Sequence, residues 1–448
     1  MPVVMLLLFV FLLFFLALGA SIYWKFFILY PLLWGLAGMA FVAWRRGFSL
    51  CSIAGMGLSG ARQASIVIKV LINVGALTAA WRASGVVCFL VYHGLQFLSP
   101  QYFLEGAFLF SAAFSFLIGT SLGTVSVLGI ALIVIAGGGG LSVPMAAGAI
   151  VAGAFFGDRG SPMSSSAHLV AAVTHTDVYT NLKNMMYTAC IPFFLSVLAY
   201  ALLASSHGLS SFDPTFIHAI DQAFPRHPIM LVPPLIILVG SACRIRLTYI
   251  MPASTLSAVG ICLGVQDQNL LDILGYLVTG YQPAVLTPAT KLFAGGGWVS
   301  VIPAILIIFF SSAITGIFAG AHLLTEVEKT VARLYRLCGA YFTNLLVSTL
   351  ASAAACNQTL AIILVNQLQY AIHAESPATR SRFALMLEDS VVMISALIPW
   401  NIAVSLPLAI LDAEPSSILY AFYIWLIPLC GWFTPTRRKQ HQNTKEST

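Results

Sequence analysis

The chain has 448 residues but only 15 aspartates and glutamates, few enough for acids to be weighed by their surroundings. Glu326, Glu328, Glu375, Glu414 and Glu446 stand in polar linkers or the tail. Asp213, Asp221, Asp267 and Asp272 stand at or near the ends of apolar segments, where a solvated carboxylate needs no function. Glu105 opens an apolar stretch and is undecided. Four further acids are embedded in mostly apolar sequence: Asp158, Asp177, Glu388 and Asp389. A charge in the middle of a membrane helix is costly, so it usually faces a cavity or a partner and has a task. Asp158 and Asp389 are the expected functional acids. The competing reading is a structural ion pair of either one with an arginine. Asp177, in "THTDVY", reads as a cap for the next helix, and Glu388 is left outside the candidate site.

Asp158 opens the polar run "GDRGSPMSSSAHL", which brings the hydroxyls of Ser161, Ser164 and Ser165 close to a carboxylate. Thr120, Ser121 and Thr124 cluster at a second interruption, "GTSLGT", and Asn357 and Asn401 offer amide oxygens. Hydroxyl, amide, carboxylate and freed backbone oxygens together suit a small hard cation, by the reasoning that governs Ca²⁺ and Mg²⁺. A lone helical hydroxyl more often bonds its own i−4 carbonyl. The cluster at a helix break therefore reads as an ion or substrate cradle. Na⁺ is the expected metal at Asp158 and Asp389.

These residues must be held by membrane helices. The composition is 59% hydrophobic and 8% charged, with a mean hydropathy of +0.93. Soluble domains carry about a quarter charged residues. Apolar windows recur from Val3 to Trp432, which predicts an all-α polytopic membrane protein of roughly ten to twelve transmembrane helices. Several windows are too short to cross alone. Glycine clusters with hydroxyl neighbours, such as Gly137 to Gly140, predict broken helices and re-entrant hairpins, tolerated at membrane depth only where buried or lining a cavity.

Two distant regions share a layout. "FLIGTSLGTVSVLGIALIVI" is followed by "GAFFGDRGSPMSSSAHLVAAV", and "LVSTLASAAACNQTLAIILV" by "ALMLEDSVVMISALIPWNIAV". In this reading Asp158 and Asp389 occupy corresponding places. Paired interrupted segments point to a transporter of two inverted repeats, with its site between them near the bilayer midplane. The expected organisation is N-terminal helices over 1–63, a first repeat over 64–204 and a linker over 205–228. A second repeat over 229–435 and a basic tail over 436–448 follow.

The basic residues Arg437, Arg438 and Lys439, with Arg45, Arg46 and Arg62, place both termini in the cytoplasm by the positive-inside rule. The expected location is the plasma (bacterial inner) membrane. The basic tail meets anionic lipid more simply than nucleic acid. The apolar N-terminus lacks a positively charged leader region and reads as the first helix of the mature protein. The segment 326–337 reads as an amphipathic interfacial helix. Eight isolated cysteines and nine scattered histidines form no transition-metal site. Serines and His168 near Asp177, with His322, raise the thought of a hydrolase, but no GxSxG or HExxH motif is present, which argues against an enzyme.

The motifs "GTSLGTVSVLGIAL", "AGAIVAGAFFGDRGSP", "TDVYTNLKNMMYT" and "LEDSVVMISALIPWN" resemble the NhaC-type sodium/proton antiporters of the ion transporter superfamily. The likeness keeps the motif order from about Ala64 to Trp432. It implies inverted repeats with re-entrant hairpins and secondary active exchange of Na⁺ (or Li⁺) for H⁺ by alternating access. The alternative is a Na⁺- or H⁺-coupled transporter of a small organic anion or amino acid. The resemblance places Thr120, Ser121, Asp158, Ser161, Ser164, Asp389, Ser395, Pro399 and Asn401 in the polar core. Where family members commonly carry acids, this chain has Ser165 and Asn357, which can ligate Na⁺ but cannot carry its proton. The implied partners are small cations and the lipid bilayer, with no cofactor beyond the transported ions.

Overall fold

The structure, a computed structural model, describes residues 3–24, 26–27, 29–63, 65–97, 100–207, 227–243, 245–283, 293–321, 324–373 and 376–432. The basic tail, His322, Glu375 and nearly all of the 205–228 linker lie outside the described residues. Three helices lead the chain: α1 (Val3–Tyr23), α2 (Leu29–Arg45) and α3 (Leu50–Gln63). A first group follows, comprising α4 (Ser65–Ala83), α5 (Val86–Phe97), α6 (Phe103–Ile118) and α7 (Ser121–Gly138). It continues through α8 (Val143–Gly160), α9 (Ser165–Thr174) and α10 (Val178–His207). Between the halves stand α11 (Val232–Ala242), α12 (Leu247–Gly264) and α13 (Leu270–Thr279).

The second group runs through α14 (Trp298–Gly320), α15 (Leu324–Cys338), α16 (Ala340–Ala355) and α17 (Gln358–His373). It ends with α18 (Pro377–Asp389), α19 (Val391–Ser395), α20 (Ile402–Ile410) and α21 (Phe422–Gly431). Among the described residues the chain is helical with one isolated β-bridge, between Tyr281 and Gly295. This is the all-α polytopic class expected. Among the described residues four helices are long and apolar enough to cross a membrane unaided: Pro100–Ile118, Ser121–Gly138, Val178–Ser206 and Trp298–Gly320. The pair Ile68–Ala83 and Val86–Gly94 passes the same test together but bends by 71°. Shorter apolar helices, among them Ser165–Thr174, Ala340–Ala355 and Phe422–Gly431, stand beside them.

The interruptions repeat. An offset of 237 residues carries α6 onto α16, the first residue of α7 onto that of α17, and the first residue of α9 onto that of α20. The same offset carries Ser111 to Ser348, Ser115 to Ser352, Pro162 to Pro399 and Ser164 to Asn401. Both α6 and α16 end on a residue in the left-handed region, Gly119 (φ 78°) and Cys356 (φ 54°). Glycine is required at the first of these for a second reason. A Cβ there would stand 2.5 Å from the Met163 carbonyl carbon. The same offset carries Ala83, the last residue of α4, onto Gly320, the last residue of α14.

Small residues let the paired helices approach. Gly153 and Gly157 on α8 face Ser111, Ser115 and the α6 backbone so closely that a Cβ at either would collide with main chain. Small-xxx-small faces of this kind drive helix association in lipid, where apolar side chains gain nothing by leaving their solvent. The Ser115 hydroxyl donates to the Ala154 carbonyl across this contact. In the second unit Ser348 and Ser390 hydroxyls meet at 3.0 Å, and Ser352 and Ser395 at 2.9 Å. Thus α6 and α16 each carry their partner's break into register with their own.

The charged helix expected over 326–337 is α15, and it is amphipathic as read: Val331 is buried while Arg333 and Arg336 are exposed.

Candidate functional site

Each broken helix restarts from a polar cap. Thr120 caps α7 by accepting the Gly123 N–H at 2.8 Å. Ser164 caps α9 through the Ala167 N–H at 3.1 Å. Asn357 accepts the Thr359 N–H at 2.8 Å, and Asn401 accepts the Ala403 N–H at 3.0 Å. The residues read from the sequence as cation ligands are therefore also the residues that make the breaks possible, since a helix end buried without partners is unstable. Other hydroxyls are similarly engaged. Ser161 donates to the Phe116 carbonyl at 2.6 Å, and Ser395 to Val391 at 2.7 Å. Ser164 and Ser166 both donate to the Asp158 carbonyl. Ser165 is exposed at the start of α9.

Asp158 sits in the last turn of α8, just before its break, and is buried. Its Oδ1 accepts the Ser121 N–H at 3.1 Å. The Ser121 hydroxyl and the Gln358 amide also lie near enough to stabilise its charged form. Ser121 opens α7 and Gln358 opens α17, so one carboxylate faces the first turns of the restarted helices of both units. The Gln358 amide donates to the Val392 carbonyl at 3.1 Å, which ties the same point to α19. Helix N-termini present free N–H groups and a positive dipole end, a natural seat for an anion.

Asp389 stands elsewhere in the register. The offset that matches the breaks places Ser395, not Asp389, opposite Asp158. Asp389 lies six residues earlier, at the end of α18 before an extra kink at Ser390 (φ −118°, ψ −84°) that α8 lacks. The correspondence of Asp158 with Asp389 read from the sequence is corrected accordingly. Asp389 is also occupied: Arg159 forms an ion pair with it, and Thr188 donates to it at 3.1 Å. The two acids are thus brought into one cluster through Arg159, the residue next to Asp158, but they do not form a joint cation cage. Among the described residues no group of three or more histidine, cysteine or acidic side chains could hold a metal ion.

Arg159 is fully buried and donates to Thr188 at 2.6 Å, the Met185 carbonyl at 3.3 Å and the Tyr423 hydroxyl at 3.5 Å. Sequence reasoning overlooked Arg159, Thr188 and Gln358, and set Glu388 aside. The arginine stands inside the quoted motif beside Asp158, so an unbroken apolar context was the available signal for it. Gln358 follows Asn357 at a break, and Glu388 adjoins Asp389. Asp177 is the cap it was read to be: its Oδ2 accepts the Thr180 N–H at 2.7 Å and hydroxyl at 2.9 Å.

The sequence model of the Na⁺/H⁺ antiporter family matches residues 153–432, which include the α8 break, Asp158 and the whole second unit. The chain belongs to the Na⁺/H⁺ antiporter family. It is similar to an uncharacterized Na⁺/H⁺ antiporter of Haemophilus influenzae, 26% identical over 75% of this chain and 74% of the relative. It is also 26% identical to the malate-2H⁺/Na⁺-lactate antiporter of Bacillus subtilis, over 81% of this chain and 80% of that one. The Na⁺/H⁺ antiporter NhaC of Bacillus subtilis shares 26% identity over 86% of each chain. This antiporter is a multi-pass membrane transporter and not an enzyme, and its motifs fit the NhaC type.

Proposed function

We infer that this antiporter exchanges Na⁺ (or Li⁺) for H⁺ by alternating access, with Asp158 as the acid for which the two ions compete. The observation that carries the reading is the seat of Asp158: a buried carboxylate between two restarted helices, with no cationic side chain bonded to it among the described residues. Its ligand oxygens for Na⁺ would come from the carboxylate, the Ser121 hydroxyl, the Gln358 amide and backbone carbonyls of the break. Thr120, Ser161, Ser164, Asn357, Ser395 and Asn401 would hold the breaks open in that geometry. Asp389 would act as the counter-ion of Arg159.

The cycle follows from the cost of an unpaired charge in the membrane. Na⁺ neutralises Asp158 in one facing. After its release, a proton neutralises the same carboxylate, and the loaded carrier returns. An empty, ionised carrier is disfavoured, so one ion moves only in exchange for the other. The organic-anion alternative would seat a substrate carboxylate on half-helix N-termini, but the first turn of α7 already holds the Asp158 carboxylate. The inverted relation of the two units, cytoplasmic termini and a plasma-membrane location complete the reading.

Purified protein in liposomes with a trapped pH dye tests it. Added Na⁺ or Li⁺ should move protons in the wild type and none in Asp158→Asn. Protons that stay still with the wild type at every pH sink the function, whereas exchange surviving in Asp158→Asn sinks the site.

A further inference from the structure

The outer half of α17 holds polar side chains that the exchange cycle above does not use. Gln369 is fully buried, and neither its amide oxygen nor its amide nitrogen has a hydrogen-bond partner among the described residues. Asn366, one turn before it, has a buried amide oxygen in the same condition. His373, one turn after it, is buried with Nε2 unpartnered. Its ring stacks on Phe383 of α18 at 4.6 Å and stands edge-on to Tyr335 of α15 at 5.4 Å. Buried polar atoms are partnered in the great majority of cases, and an exception calls for an explanation. Packing does not supply one. The offset of 237 residues puts Leu132 of α7 at the place of Gln369, and the stretch Ile130 to Ala136 around it has no polar side chain. An apolar residue fills this place in the other unit without the cost of burying an unbonded amide.

Helical periodicity gives these groups a direction. Gln358, Ile362, Val365, Gln369 and His373 recur at helical spacing and form one stripe along α17. Gln358 is its inner end, near the Asp158 carboxylate, and His373 is its outer end, against α15. The helix rises roughly 16 Å from Gln358 to Gln369. Ile362 and Val365 lie between them, both fully buried. We propose that this stripe is the route of Na⁺ between Asp158 and the membrane surface at α15, with Gln369 as a transient ligand and Ile362 and Val365 as the closed gate. The proposal rests on Asp158 being the Na⁺-binding acid. A neutral amide suits a way station, because Oε1 takes one place in the ion's shell of oxygens while the N–H groups hold its remaining water. No charge traps the ion there, and passage requires a site weak enough to leave. The two aliphatic side chains shut the stripe, as hydrophobic constrictions do by excluding water. Opening requires α17 to shift against α9, α15, α16, α18 and α19, the helices it packs on.

Two variants test it. Gln369→Cys in proteoliposomes is treated with a charged thiol reagent, and modification at that position is read by peptide mass spectrometry. Ile150→Cys, equally buried in α8, is the reference. Gln369→Cys should react about tenfold faster than the reference or more, because a thiolate reacts only where it is reached, and Na⁺ should change its rate. A rate equal to the reference, or one indifferent to Na⁺, overturns the proposal. Gln369→Leu should slow Na⁺/H⁺ exchange by about tenfold and leave equilibrium ²²Na⁺ binding as in the wild type, because the route is altered and the seat is not. Unchanged exchange overturns the proposal. Lost Na⁺ binding in the folded variant also overturns it, by making Gln369 part of the seat. If Gln369→Leu does not fold, the labelling of Gln369→Cys decides alone. Na⁺ binding that persists in Asp158→Asn defeats the Asp158 reading instead, whatever the labelling shows.

Discussion

The pair of Arg159 and Asp389 gives a prediction whose size can be worked from the structure. Both side chains are buried, and each holds the other's charge across α8 and α18. Removing one partner strands an uncompensated charge, which costs about 3–5 kcal/mol for a buried pair. Among the described residues, Arg159→Met leaves Asp389 with only the Thr188 hydroxyl. Asp389→Leu leaves the guanidinium with Thr188, the Met185 carbonyl and Tyr423, all neutral. The first substitution should sit near the upper end of that range and the second nearer the lower, because more dipoles remain. Removing both charges strands nothing. Exchanging a buried ion pair for apolar side chains of similar volume is often neutral or stabilising. The double variant should therefore lie within about 1 kcal/mol of the wild type, where additivity would predict a loss of roughly 6–10 kcal/mol. Reversible unfolding in bicelles measures all four proteins. Single losses under about 1 kcal/mol that simply add would refute the reasoning, because an exposed pair behaves that way.

Other outcomes follow from the same contacts. Gly157→Ala must push α6 away from α8, since its Cβ collides with Ser115 main chain; overpacking of this kind costs about 1–3 kcal/mol, and exchange in proteoliposomes should fall with it. Gly55→Ala on α3 meets nothing and should gain up to about 1 kcal/mol of helix stability, measured by the same unfolding assay. The Thr180 hydrogen bonds hold the Asp177 carboxyl below its usual range. The cap's contribution is thus fully present above the ordinary aspartate value and lost as the pH falls through the lowered one. Amide exchange in the first turn of α10 should show this acid-side loss, and Asp177→Asn should show no such pH dependence.

Much of the architecture was legible because its physics is local. Apolar windows and glycine clusters identify membrane helices and their breaks, and Thr120, Ser164 and Asn401 are recognisable as polar restarts. The capping role of Asp177 needed only its position before an apolar run. The register between the units was harder to read. Low identity hid the constant offset, and the shared acid-then-proline pattern suggested matching Asp158 to Asp389. The kink at Ser390, which sets Asp389 apart, depends on packing against α16 and leaves no local signal. Partnerships between sequence-distant groups were likewise out of reach. Arg159 and Asp389 are 230 residues apart, and no spacing rule connects them. On the proposed reading, their pairing leaves Asp158 as the acid available to a cation.

The central claim is that Na⁺ and H⁺ compete for the Asp158 carboxylate. The most direct measurement is equilibrium ²²Na⁺ binding to purified protein across pH, wild type against Asp158→Asn. Competition predicts an apparent affinity that weakens about tenfold or more per pH unit on the acid side, and no saturable binding in the variant. Wild-type affinity indifferent to pH, or undiminished binding by Asp158→Asn, would contradict the account.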